Sequence, residues 1–222
     1  MTRRTQLYEA VGKNDIDGLK KLLATSHSEE GYEQLLSIAV THNFPEIVTL
    51  LLEHKANPNY ITSEKCKETL LFSAVRSSSI PLITTLFQHQ ADPNIQNDEG
   101  KTVLHSRVNV ADEASVKLLL ENKADPNILD NKGNTPIFYA RTAAIFKLLL
   151  EHNTDIDLHN KAGDSVRALL ENSTLSNYNS HLRKALNDYQ MEQLQNIKVA
   201  DEGIGCTSLD DRGDLLGELL NY

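Results

Sequence analysis

The chain has 222 residues, of which 40% are hydrophobic and only 5% aromatic, with no Trp. It carries 31 acidic against 22 basic residues, a formal charge of −9, which argues against a nucleic-acid partner because binding phosphate needs Lys and Arg to displace counterions. Cys66 and Cys206 stand far apart with no CxxC, which points away from a disulfide framework and toward a reducing compartment, and no run reaches the roughly 18 apolar residues of a membrane span.

Met1-Thr2-Arg3-Arg4 leads into a helix-like unit rather than an apolar segment, so a soluble cytoplasmic protein without a signal peptide is expected. Leu7 to Ala24 reads as a helix pair, with Leu7, Ala10 and Val11 on one face and Ile16, Leu19, Leu22 and Leu23 on the other. Asn14 falls at the turn, where a left-handed residue is needed and Asn tolerates it. Thr25 to Glu33 is polar and reads as an irregular connection.

In the next unit, Gln34 to Lys67, Leu35, Leu36, Ile38, Ala39 and Val40 mark an inner helix, and Pro45 opens the outer one. Leu50-Leu51-Leu52 is apolar around more than one face, as expected for a helix packed on both its partner and a neighbour. Ala56-Asn57-Pro58-Asn59 follows, then an exposed hairpin from Tyr60 to Lys67. Glu68 to Lys101 repeats the plan, with Thr69 as N-cap, Pro81 at the outer helix start and Ala91-Asp92-Pro93-Asn94. Thr102 to Asn134 carries Ala124-Asp125-Pro126-Asn127, and Thr135 to Asp164 carries Thr154-Asp155-Ile156-Asp157.

The steps from Asn57 to Asp92, Asp125 and Asp155 are 35, 33 and 30 residues. A period near 33 marks stacked units, each burying its apolar surface against its neighbours. Thr102-Val103-Leu104-His105 and Thr135-Pro136-Ile137-Phe138, in register with these turns, resemble the ankyrin repeat from about Leu7 to Leu170. The resemblance implies an all-α ankyrin-repeat solenoid of five to six helix-turn-helix repeats with hairpin loops, plus a C-terminal helix. The expected boundaries are 5–170 for the array, 171–198 for the capping helix and 199–222 for an acidic flexible tail.

Three departures stand out. The fifth unit is three residues short between Ala140 and Ile145, at Arg141-Thr142-Ala143-Ala144, so its first helix or its turn must be trimmed. Lys55, Gln90, Lys123 and Asn153 stand where the family prefers Gly after the outer helix, and a left-handed non-Gly costs on the order of 1 kcal/mol. Arg107 takes a slot filled by Ala39, Ala74 and Ala140 elsewhere, so it must reach water or an acidic partner. Beyond Ser165–Leu170, a degenerate sixth unit, Leu182, Leu186, Tyr189 and Ile197 form a stripe suited to covering the open end. The segment 199–222 has six acidic residues and one basic, holding −5 of the charge, and ends in the leucines of 215–220.

Asp210-Asp211-Arg212-Gly213-Asp214 matches a Mg²⁺-binding DDxxD pattern, but a thin solenoid offers no cavity for near-octahedral coordination, so solvated charge is the reading. Arg212-Gly213-Asp214 is short enough to arise by chance. Leu216-Gly217-Glu218-Leu219-Leu220 has groove-docking LxxLL spacing, or else packs on the capping helix. His54, His89 and His152 share one slot near helix C-termini, a framework position rather than a metal site. No HExxH, GxSxG or phosphate loop occurs. Neither catalysis nor a cofactor or metal is expected.

The resemblance instead implies a concave groove that binds a protein. Carried over by slot, its tips are Tyr60, Thr62, Glu64 and Lys65; Ile95, Gln96, Asp98 and Glu99; Ile128, Leu129, Asn131 and Lys132; and His159, Asn160 and Lys161. Inner-helix positions facing it are Ser73, Arg76, Ser77, Ser106, Asn109, Tyr139 and Arg141. Tyr60, Tyr139 and Arg141 are the strongest anchors by residue type. A monomeric cytosolic adaptor or inhibitor is the first expectation. The alternative is a bacterial effector exported into a host cell, its polar tail acting as the signal.

Overall fold

The computed structural model describes residues 2–25, 31–63, 65–172 and 180–203. Glu64, the side chain of Ile197 and every motif in 204–222 lie outside the described residues. Helices α1 (Arg3–Gly12) and α2 (Ile16–Ala24) form the first pair, and α3 (Tyr32–Thr41) and α4 (Pro45–Glu53) the second. A short hairpin, β1 (Ile61–Ser63) and β2 (Glu68–Thr69), precedes α5 (Leu70–Arg76) and α6 (Ile80–Gln88). Then come α7 (Val103–Asn109), α8 (Glu113–Glu121), a 3-10 turn (Pro136–Tyr139), α9 (Ala143–Glu151), α10 (Val166–Glu171) and α11 (Ser180–Gly203).

Two layers result. The inner row α1, α3, α5, α7 and the 3-10 turn packs neighbour to neighbour, while α2, α4 and α6 form an outer row continued by α8 on α9 and α9 on α11. Leu50, Leu51 and Leu52 are all buried, as a helix wedged between its partner and the next repeat requires. The buried residues run as one cluster from Leu7 to Leu186. Leu182, Ala185 and Leu186 of α11 close the open end, and the helix runs to Gly203, past the expected boundary at 198.

Local chemistry sets each pair. Asp15, Asp112 and Thr142 cap outer helices, their side chains accepting N–H bonds from Gly18, Ser115 and Ile145. The inner-to-outer turns need a left-handed residue, supplied by Asn14, Asn43, Ser78 and Ala111. Lys55, Gln90, Lys123 and Asn153 keep the left-handed geometry that the family gives to Gly, at φ of 65°, 67°, 66° and 59°. The three-residue deficit in the fifth unit removes the inner α-helix: one 3-10 turn, with Ala140 extended, leads directly to the Thr142 cap.

Repeats are joined by a side-chain ladder. Asn94 Oδ1 accepts from the Asp125 N–H at 2.8 Å while its Nδ2 donates to the Lys123 carbonyl at 3.1 Å. Asn59 bonds Asp92 and Gln90, and Asn127 bonds Asp155 and Asn153, in the same way. The last rung is Asp157, which takes Arg167 instead, with Nε at 2.6 Å and Nη2 at 3.0 Å. His54 and His152 act as expected of framework residues, each ring Nδ1 lying 2.8 Å from the carbonyl four residues earlier.

Candidate protein-binding groove

The hairpin tips are stitched edge to edge. Asp98 N–H donates to the Cys66 carbonyl at 3.1 Å, Asn131 N–H to Glu99 at 2.9 Å and Lys161 N–H to Lys132 at 3.0 Å. This close approach explains Gly133: a Cβ there would sit 2.8 Å from the Lys161 nitrogen, at a φ of +78°. Asn97, Asp130 and Asn160 occupy one slot, and each Oδ1 accepts two N–H bonds from its own tip. The tips therefore form a rigid, level row.

Beneath the row, polar side chains of α5, α7 and the 3-10 turn line the concave side. His105 donates from Nε2 to the Asn134 carbonyl at 3.1 Å, and its Nδ1 accepts from the Thr102 N–H at 3.1 Å, tying α7 to the next tip. Burial holds this imidazole below its ordinary value, against an opposing pull from the Asn134 carbonyl. The Tyr139 hydroxyl donates to the Asp130 carboxylate and accepts from Asn134 Nδ2 at 3.2 Å. Burial would push the Asp130 carboxyl up, but the Tyr139 hydroxyl and the N–H groups of Asn134 and Lys132 hold it below the usual range. Lys101 sits over the Tyr139 ring, 5.5 Å from its centroid, and pairs with Glu99 at 2.7 Å.

A hollow of about 260 Å³ opens here, lined by Glu68, Asn97, Glu99, Lys101, His105, Ser106, Arg107, Asn109, Val110 and Tyr139. Arg76 pairs with Glu68 at its side, and Arg141 Nη2 lies 3.4 Å from Asn109 Oδ1. Arg107 finds the acidic partner expected of it, at long range, and a backbone acceptor besides. Its Nη1 donates to the Val75 carbonyl at 2.9 Å, and its nearest carboxylate, Asp112, stands 3.8 Å away.

Of the expected groove residues, Asn109 and Tyr139 line this hollow, while Arg76 and Arg141 reach its lining only through Glu68 and Asn109. The structure spreads the remaining candidates. Lys65, Gln96, Asp98, Asn131, Lys132, His159 and Lys161 are exposed along the tips. Among them Gln96 donates to the Leu129 carbonyl at 2.9 Å and Asn131 to the Asp98 carbonyl at 2.7 Å, so both hold neighbouring tips together. Tyr60 packs half-buried against the core, and the Thr62 hydroxyl donates to the Glu68 carbonyl at 3.0 Å. Sequence reasoning passed over Glu68, Asn97, Lys101 and Val110. The signal for two of them was present: Glu68 and Lys101 share the slot just before the Thr69 and Thr102 caps, at the junction of tip and inner helix.

Among the described residues no helix is long and apolar enough to cross a membrane. No curated protein matches the chain by sequence. Solved structures do. An ankyrin repeat domain from Acinetobacter baumannii AYE is 20% identical over 81% of this chain and 95% of its own, with a TM-score of 0.70. EF0377, an ankyrin repeat protein, is 22% identical over 83% of this chain and 97% of its own, with a TM-score of 0.67. The ankyrin repeat domain of Bcl-3, a member of the IkappaB family, is 25% identical over 72% of this chain and 77% of its own, with a TM-score of 0.64. The model of the ankyrin repeats family matches residues 7–97 and 71–162. With stacked helix pairs, level tips and a concave polar face already in place, the chain belongs to the ankyrin repeat family.

Proposed function

We propose that this chain is a non-catalytic binding module that holds a partner protein in its concave groove. Ankyrin repeats are general protein–protein interaction modules. The observation that carries the reading is the hollow under the tips, where Arg107 and Asn109 of one repeat and Tyr139 of the next line the same space. Tyr and Arg supply the planar, donor-rich surface that dominates interface energetics, and here Asp130 fixes Tyr139 and the Val75 carbonyl holds Arg107 before any partner arrives. Several of the polar groups converging on the hollow already bond one another, Tyr139 to Asp130, Lys101 to Glu99 and Arg76 to Glu68, which suits recognition rather than turnover.

Two surface variants separate the groove from the back of the array. Asn109→Ala/Arg141→Ala alters exposed groove positions, whereas Lys20→Ala/Lys117→Ala alters exposed positions on outer helices. Partner captured from a lysate should fall about tenfold with the first pair and stay unchanged with the second. Equal capture by both would move the interface off the concave face. The export reading rests on residues outside the described ones, and its test is delivery of a chain lacking 205–222.

A further inference from the structure

The row of tips is a ladder whose last rung is open. Three tips carry Asn or Asp three residues before a left-handed Gly: Asn97 with Gly100, Asp130 with Gly133 and Asn160 with Gly163. The residue before the Gly offers its carbonyl to the next tip, so Glu99 accepts from the Asn131 N–H at 2.9 Å and Lys132 from the Lys161 N–H at 3.0 Å. The next tip also crowds the Gly. A Cβ on Gly100 would lie 2.7 Å from the Asn131 nitrogen, and one on Gly133 2.8 Å from the Lys161 nitrogen. At the final tip both features are unused. Among the described residues no N–H reaches the Ala162 carbonyl, and a Cβ on Gly163 would meet nothing within 4 Å. Ala162, Gly163 and Asp164 are exposed, which leaves a backbone edge ready to pair with another segment.

The sequence holds one more copy of the tip pattern. Asn160-Lys161-Ala162-Gly163-Asp164 leads to Leu169-Leu170, and Asp210-Asp211-Arg212-Gly213-Asp214 leads to Leu219-Leu220 in the same register, fifty residues on. Leu216 and Leu220 match Val166 and Leu170, both buried in the array. Asp210 matches Asp130, whose Oδ1 shapes its tip by accepting the Lys132 and Asn134 N–H groups. We propose that the chain's own segment Leu209–Asp214 docks on the Ala162–Gly163 edge as a further tip, its Asp211 N–H donating to the Ala162 carbonyl. Charge favours the match. Lys132 and Lys161 have no carboxylate at ion-pair distance among the described residues, and Asp211 takes the slot of Asp98, which already pairs across tips with Lys67 at 3.2 Å. The path favours it too. His181 lies at Arg141 and Tyr189 at Leu150, so α11 runs alongside α9 toward the end that leads into the last tip. The residues 204–208 then span up to about 17 Å before Leu209. Docking lengthens the concave row by one rung.

The test is amide NMR on the intact ¹⁵N-labelled chain. The Asp211 amide should exchange with heavy water about tenfold more slowly than in a synthetic 204–222 peptide. Asp211→Pro removes the donor, and Asp210→Ala removes the acceptor that shapes the tip. Both should shift the Ala162, Gly163 and Asp164 amide signals. Asp210→Asn, which installs the residue found at Asn97 and Asn160, should leave them in place. All three changes lie outside the array, so unchanged signals from α1 to α8 show in each case that the fold is kept. Signals at 162–164 that are the same in the native chain and in Asp211→Pro overturn the proposal, and so does an unprotected Asp211 amide. Shifts at 162–164 that grow with protein concentration would hand the edge to a second copy and overturn it as well. The groove reading survives any of these results, because its own test reads Asn109 and Arg141.

Discussion

A left-handed lysine at 123 is a local defect that the array tolerates. Its φ of 66° closes α8, and its carbonyl accepts the Asn94 rung, so the conformation is imposed by the fold rather than preferred by the residue. Lys123→Gly should stabilise the protein by about 1 kcal/mol, raising the melting temperature by a few degrees, as read by calorimetry. A lower melting temperature would contradict this. His105 gives the opposite kind of test. Its Nδ1 must stay unprotonated to accept the Thr102 N–H, and burial keeps its folded-state pKa low. The unfolded chain takes up a proton below about pH 6.5 where the folded chain does not. The stabilisation is thus present above that pH and is lost as pH falls through the lower folded value. Urea midpoints between about pH 7.5 and about pH 5 should fall more steeply for the native chain than for His105→Gln. The left-handed positions at Asn14 and after each outer helix were legible in the sequence because turn geometry is local, whereas Ser78 and Ala111, residue types with no preference for that region, were not. Nor was the backbone partner of Arg107, because it is a carbonyl one repeat away and no side-chain pattern records carbonyls.

The elements are held in register by Asn rungs, and register is what makes the groove. Each rung satisfies one donor and one acceptor in the next repeat, so Asn94→Ala removes two bonds worth about 1 kcal/mol each, about 2 kcal/mol in all by chemical denaturation. Asn94→Asp keeps the acceptor and loses the donor, and should fall between. A ranking with Asp below Ala would contradict the ladder. The recurring Ala-Asp-Pro-Asn motif marks the repeat period in the sequence, but not that its Asn, rather than its Asp, reaches across to the next repeat. Asp157 makes the same point at the array's end, where no further turn awaits a donor and Arg167 fills the place. The shortened fifth unit was legible as a missing length. Its outcome, a 3-10 turn in place of a helix, depended on how Ala140 could reach the Thr142 cap in so few residues.

At the scale of the whole molecule, stability comes from each repeat covering the next, so the end is the weak point. The α11 helix covers it through Leu182, Ala185 and Leu186, with the Tyr189 hydroxyl donating to the Leu150 carbonyl at 3.1 Å and Lys147 pairing with Glu192 at 2.7 Å. Burying a leucine contributes about 1.5–3 kcal/mol, so a chain ending at Asn172 should melt several degrees lower. Amide exchange should quicken first in α9. The same stacking levels the tips and aligns α5, α7 and the 3-10 turn beneath them, which makes the concave side one surface. The most direct test of that surface is a photo-crosslinking amino acid placed singly at Asn109, at Lys132 and at Lys117, followed by mass spectrometry of the crosslinked species. A protein joined at Asn109 and Lys132 but not at Lys117 is the expected result, and joining only at Lys117 would contradict the account.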